Sequence, residues 1–142
     1  MPVEVFINFS GNCRQAVEFY AKVFDCEAPK LMTYGDMPPN PDFPPFSEEV
    51  KNRVMYTSLN IAGNTVMFSD TTPEMPFVGG NNINITVGDK DVDKIKLWFD
   101  RLKDGAAIHM ELQKTFWSDC YGMLVDKFGI PWQLSHDSGV QF

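Results

Sequence analysis

No run of about 18 apolar residues occurs in the chain, so nothing in it is built to span a bilayer as a helix. Basic residues are the minority: 12 Lys and Arg against 19 Asp and Glu leave a formal net charge of −7. Nucleic acid needs a basic face for its phosphates, so this balance argues against it, and equally against an anionic membrane surface. The opening MPVEVFINFS lacks a basic segment and a long apolar one, and no secretory signal is visible. Cysteine is scarce. Cys13, Cys26 and Cys120 are odd in number and form no CxxC pair, which reads as reduced thiols in a cytoplasmic protein. GxGxxG, P-loop, HExxH and GxSxG patterns are all missing, so no phosphate cradle, zinc-protease helix or nucleophile elbow is encoded.

What is present is an ordinary globular balance, 44% hydrophobic and 22% charged, rich in aromatics for a core or a pocket. Length allows one domain, residues 1–142, divisible into two small fused modules. Residues 3–9 are β-branched and aromatic, a strand, broken by Ser10-Gly11-Asn12. Asn12 with Gln15 three residues on forms a capping-box pattern, and Ala16, Val17, Tyr20, Val23 and Phe24 make one helical stripe. Residues 27–34 read as a second strand. Residues 35–52 hold Pro38, Pro39, Pro41, Pro44 and Pro45, which can join neither a sheet interior nor a helix interior. They form a long loop, either a solvated connector or a lid. Residues 53–61 and 65–69 form a hairpin about Ala62-Gly63-Asn64, and a Pro- and Gly-containing linker follows over 70–80.

The second half repeats this order. Residues 82–87 are a strand. Asp89 or Asp91 caps a helix striped by Val92, Ile95, Phe99 and Leu102 and closed by Gly105. Residues 107–113 are a strand, and 121–126 with 130–135 make a closing hairpin through Asp126, Lys127 and Gly129. Each half, 1–75 and 76–142, therefore reads βαβββ, and a repeat of roughly 70 residues is a duplicated module rather than a solenoid. The fold class is α+β.

Candidate chemistry is sparse. His109, Glu111 and Gln113 alternate along one strand, and a His two residues from a Glu can act as an acid–base pair; a solvated strand face shows the same alternation. His136-Asp137 reads as an exposed terminus rather than a dyad. Cys120 lacks an electropositive neighbour, and Cys13, near a helix start, is commonly buried. Met55, Met67 and Met110 could line an adaptable apolar pocket or fill core gaps. Gln133 sits between Trp132 and Leu134. If those two face the core, it points to solvent or to a cavity.

The segment DKFGIPWQL, residues 126–134, together with AVEFYAKVF in the first helix, resembles the vicinal oxygen chelate superfamily of glyoxalases, extradiol dioxygenases and bleomycin resistance proteins. The run TFWSDCYGMLVDKFGIPWQL is similar to its PhnB-like branch, often labelled a demethylubiquinone methyltransferase domain. The resemblance implies paired βαβββ modules in a curved, incompletely closed sheet around a cavity, and a homodimer. It also implies ligand positions on the first and last strand of each module, which counting places at Val5, Met67, Asn82 and Gln133. A Val, a thioether and two amides are poor donors for a hard divalent ion. The expectation is therefore a small-molecule cavity lined by those four residues, without metal or other cofactor. The alternative is an enzyme, either glyoxalase- or dioxygenase-like and metal-dependent or metal-free through His109 and Glu111.

Overall fold

The computed structural model describes residues 3–42 and 44–139. Two compact units divide the chain, Met1–Val78 and Gly79–Phe142. The first contains β1 (Val5–Phe9), α1 (Cys13–Val23), β2 (Met32–Thr33), a single 3-10 turn at Tyr34–Asp36, α2 (Glu48–Lys51), β3 (Val54–Ile61) and β4 (Asn64–Asp70). The second contains β5 (Ile85–Asp89), α3 (Val92–Leu102), β6 (Ala107–Gln113), β7 (Tyr121–Val125) and β8 (Pro131–His136). Each unit forms one mixed four-stranded sheet of the same order, β1-β4-β3-β2 and β5-β8-β7-β6. In both, the first strand lies parallel to the last, and the remaining pairings are antiparallel. Among the described residues there is no closed barrel, and the fold is α+β built from two βαβββ modules.

One face of each sheet is covered by its helix. In the first unit α1 buries Ala16, Val17, Tyr20 and Val23, and the Tyr20 ring stacks on Phe68 with centroids 5.7 Å apart. In the second, α3 buries Ile95, Trp98, Phe99 and Leu102 on the side of the sheet that carries Leu124, Trp132 and Leu134. At roughly 1.5–3 kcal/mol for each large apolar side chain buried, these stripes dominate the stability of both modules. Trp132 and Leu134 face the core, so Gln133 points to the opposite, open face.

Several elements differ from the sequence reading. The strand expected over 27–34 survives only as Met32–Thr33. Pro29 has no N–H to donate, and the Lys30 carbonyl accepts from the Thr57 hydroxyl at 2.8 Å instead of joining a ladder. The proline stretch carries no regular structure among its described residues, but a short helix, α2, follows it, capped by Ser47. Residue 43 of that loop lies outside the described residues. The strand expected over 82–87 starts at Ile85, where pairing with β8 begins. Asn12 occupies the N-cap of α1 without a side-chain cap bond; the acceptor is Asp70, reaching from the end of β4. In the closing hairpin Asp126 is the hub. Its carboxylate accepts from the N–H groups of Phe128 and Ile130 and from the Trp132 indole, at 2.8, 3.0 and 2.8 Å. Gly129, at φ +86°, turns the chain in a region that favours glycine.

Candidate functional site

Strand register decides which side chains share the open faces. In the first sheet Phe6 pairs with Met67, and Met67 with Ser58. In the second, Thr86 pairs with Gln133, and Gln133 with Met123. The two rows hold equivalent places in the duplicated modules. Of the four positions expected from the sequence, Met67 and Gln133 lie in these rows and Val5 and Asn82 do not. Val5 pairs with Val66, so it faces the helix side while Met67 faces the other way. Side chains alternate along a strand, so a count short by one residue changes the face. Asn82 precedes β5 in a bend and is exposed; the residue beside Gln133 is Thr86.

On the open face of the first sheet the Ser69 hydroxyl donates to Asn8 Oδ1 at 2.8 Å, and a second fixed amide lies on that of the second sheet. The Tyr121 hydroxyl donates to Gln133 Oε1 at 2.6 Å. Burial pushes the Tyr121 phenol up from its ordinary range, which keeps it protonated and a donor. With its oxygen engaged, the Gln133 amide has its NH2 group left to offer. Trp117 packs edge-on against the Tyr121 ring, 5.1 Å between centroids, and Phe116 packs edge-on against Trp117 at 4.7 Å. Met110 and Met123 are cross-strand partners on the same face, next to Gln133. The sequence reading missed Tyr121, Thr86 and Trp117. Counting outward along both arms of the hairpin from Asp126 would have put Tyr121 near Gln133.

Other candidates fall away on geometry. Register shifts flank His109 and again fall between Met110 and Gln113, so the regular alternation of His109, Glu111 and Gln113 is broken. His109 and Glu111 are exposed on edge strand β6, and no hydrogen bond joins them among the described residues. His136 has its ring nitrogens at 2.9 Å from Ser138 Oγ and from the Lys90 carbonyl, a structural lock on the start of α3 rather than a dyad with Asp137. The Cys13 thiol is pushed up to about 12, first by burial and then by the Asp70 carboxylate; burial also raises Cys26 and Cys120. None of the three has the lowered pKa of a nucleophile.

Two recesses lie in the first unit. One, of about 790 Å³, runs between residues 25–32 and the β3 edge at Tyr56 and Ser58–Asn60, and the Cys26 thiol donates to the Asn60 carbonyl across it at 3.1 Å. Another, of about 530 Å³, is walled by Tyr34, Phe46 and the loop prolines. These two have volume, whereas fixed amides lie on the open faces of both sheets, Asn8 held by the Ser69 hydroxyl in the first and Gln133 by Tyr121 in the second. Polar groups, not volume, fix a ligand's orientation, and the rings packed beside Gln133 make the second sheet's face the candidate site.

A divalent ion does not fit these positions. Phe6, Met67, Ser58, Thr86, Gln133 and Met123 supply neither imidazole nor carboxylate, and a hard or borderline ion needs several such donors. Among the described residues no group of three or more His, Cys, Asp or Glu is placed to hold a metal. No helix among the described residues is long and apolar enough to cross a membrane.

The family described as 3-demethylubiquinone-9 3-methyltransferase matches residues 2–135. Protein YjdN of Escherichia coli is 28% identical over 140 residues, covering 95% of each chain. The crystal structure of protein PA1353 from Pseudomonas aeruginosa superposes with a TM-score of 0.81 at 27% identity, over 96% of this chain and 98% of that one. A PhnB protein from Bacillus cereus gives 0.68 at 22% identity, over 96% and 99%. A glyoxalase/bleomycin resistance protein/dioxygenase family enzyme from Burkholderia phytofirmans gives 0.59 at 12% identity, over 94% and 96%, a likeness of fold alone.

Proposed function

This chain belongs to the family described as 3-demethylubiquinone-9 3-methyltransferase, the PhnB-like branch of the vicinal oxygen chelate superfamily, and we propose that it binds a small organic molecule on the open face of its second sheet without using a metal. The observation that carries this reading is the Tyr121–Gln133 hydrogen bond, which holds one amide in a fixed orientation on an uncharged face that also carries Met110, Met123 and aromatic rings. A few oriented polar groups on an apolar wall are what small-molecule sites require. The donor set supports the metal-free part, and no glycine-rich nucleotide motif supports a methyl-donor site. The protein acts as a homodimer in this proposal.

A thermal-shift screen against neutral, anionic and cationic metabolites tests the binding, with Gln133→Leu as the paired variant. At least one compound is expected to raise the wild-type melting temperature and lose most of that effect in Gln133→Leu. If no compound's effect depends on Gln133, the site assignment is wrong. Elemental analysis after dialysis checks the metal-free part, and close to one Zn, Ni, Mn or Fe per chain would overturn it.

A further inference from the structure

The site on the second sheet offers donors, carries no charge and is walled by sulfur and aromatic carbon. Those features narrow its ligand. Gln133 Oε1 is taken by the Tyr121 hydroxyl, so its NH2 is the polar group it has left to present. Thr86 beside it adds a hydroxyl that can donate or accept. The open-face register positions around them are Met123, Met110, Val125, Tyr121, Gln113 and Ser135, none of them charged. An anion would find no cation here, and a cation no carboxylate. Thioethers favour contact with aromatic rings, and the Trp117 and Tyr121 rings extend the same wall.

Resting on the proposed binding face, we infer that the ligand is a flat, uncharged aromatic compound bearing a carbonyl oxygen, with the ring against Met110 and Met123 and the carbonyl accepting from the Gln133 amide. Tyr121 is the positioning residue. By holding the amide oxygen it turns the N–H groups outward, and it thereby rejects ligands that present a donor at that point. An unmatched donor against this amide would leave polar groups on both sides without partners, which costs more than a missing contact.

Three probes with one ring system test the class: 2-acetonaphthone, which is neutral with a carbonyl; 2-ethylnaphthalene, which has no acceptor; and 2-naphthoate, an anion. Trp98 and Trp132 are buried, so Trp117 is the tryptophan positioned to report on the face by fluorescence, and Trp117→Phe removes the signal as a control. The ketone is expected to bind roughly fivefold to tenfold more tightly than 2-ethylnaphthalene, the share of one hydrogen bond. Gln133→Leu should erase that difference. Tyr121→Phe should shrink the difference without removing binding, because the amide is then free to turn either way.

Equal affinity for ketone and hydrocarbon, or tighter binding of the naphthoate, overturns the ligand class. If none of the three quenches Trp117 but a screened compound of another kind binds in a Gln133-dependent way, the class fails and the binding face stands. If nothing depends on Gln133, both fail.

Discussion

Asp70 shows how one buried carboxylate can tie a module together. It is 2% exposed, and Oδ1 accepts from the N–H groups of Gly11 and Cys13 while Oδ2 accepts from that of Val54. One side chain thereby caps α1, fixes the turn before it and anchors the start of β3. The Tyr34 hydroxyl adds a bond to the Asp70 carbonyl at 2.6 Å. Asp70→Ala would leave three backbone donors unmet, and we expect a loss of about 3–5 kcal/mol, read as a fall in the urea midpoint with unchanged slope. A loss under about 1 kcal/mol would mean that water replaces the carboxylate. Cys13, beside it, gives a pH signature. Its thiol titrates at about 12 in the folded chain against 9.0 ordinarily, so the folded state holds its proton more tightly than the unfolded state. That contribution is fully present below pH 9.0 and is lost as pH rises toward about 12. Cys13→Ala should therefore lose stability less steeply than wild type over this window. Parallel stability–pH curves for the two proteins would contradict it.

At the scale of elements, α3 packs over the sheet of the second module at Gly122. A Cβ built there would meet Phe99 Cε2 at 2.8 Å, Leu112 Cδ2 at 3.0 Å and the Met110 carbonyl at 3.1 Å. Gly129 has open space around the same position but a left-handed φ of +86°. The two glycines are needed for different reasons, and alanine at each should separate them. Gly122→Ala is expected to cost about 1–3 kcal/mol by pushing α3 off the sheet. Gly129→Ala should cost about 1 kcal/mol through backbone strain alone. Near-UV circular dichroism should change in the first variant and not in the second. The same elements show what could be read from sequence. The two helices and the closing hairpin were legible because their signals are local: a stripe at helical spacing, and Asp126 followed by Gly129. The short β2 was not, because local residue content says nothing about whether an edge strand finds its partner. The Asp70 cap was invisible for the same reason, since its acceptor lies 57 positions from Cys13. For the candidate site, the open-face position of Gln133 was legible from its own strand. Its neighbour Thr86 was missed because register between distant strands is set by pairing, and counting along the sequence stopped at Asn82, ahead of the strand.

For the whole molecule, the open question posed by the duplicated sheets is how their edges are protected. Edge strands invite pairing with another chain unless they are short, bulged or charged. β2 is only two residues long, and β6 is broken by register shifts and carries exposed His109 and Glu111. β1 has none of these devices. It is a regular five-residue strand; Val5 and Phe6 on it are 41% and 47% exposed, and Val3, ahead of it, is 99% exposed. Those apolar side chains, on an edge strand without such protection, favour a second copy of the chain as the cover. Light scattering at about 10 µM is expected to give 32.2 kDa, twice the 16.1 kDa chain, since a dimer held by such a surface should persist there. Val5→Lys places a charge on this edge and should move the mass toward 16.1 kDa, with far-ultraviolet circular dichroism unchanged because Val5 is not part of the buried core. A wild-type mass of 16.1 kDa at that concentration would sink the dimer, and a Val5→Lys variant that stays at twice the chain mass would place the interface away from β1.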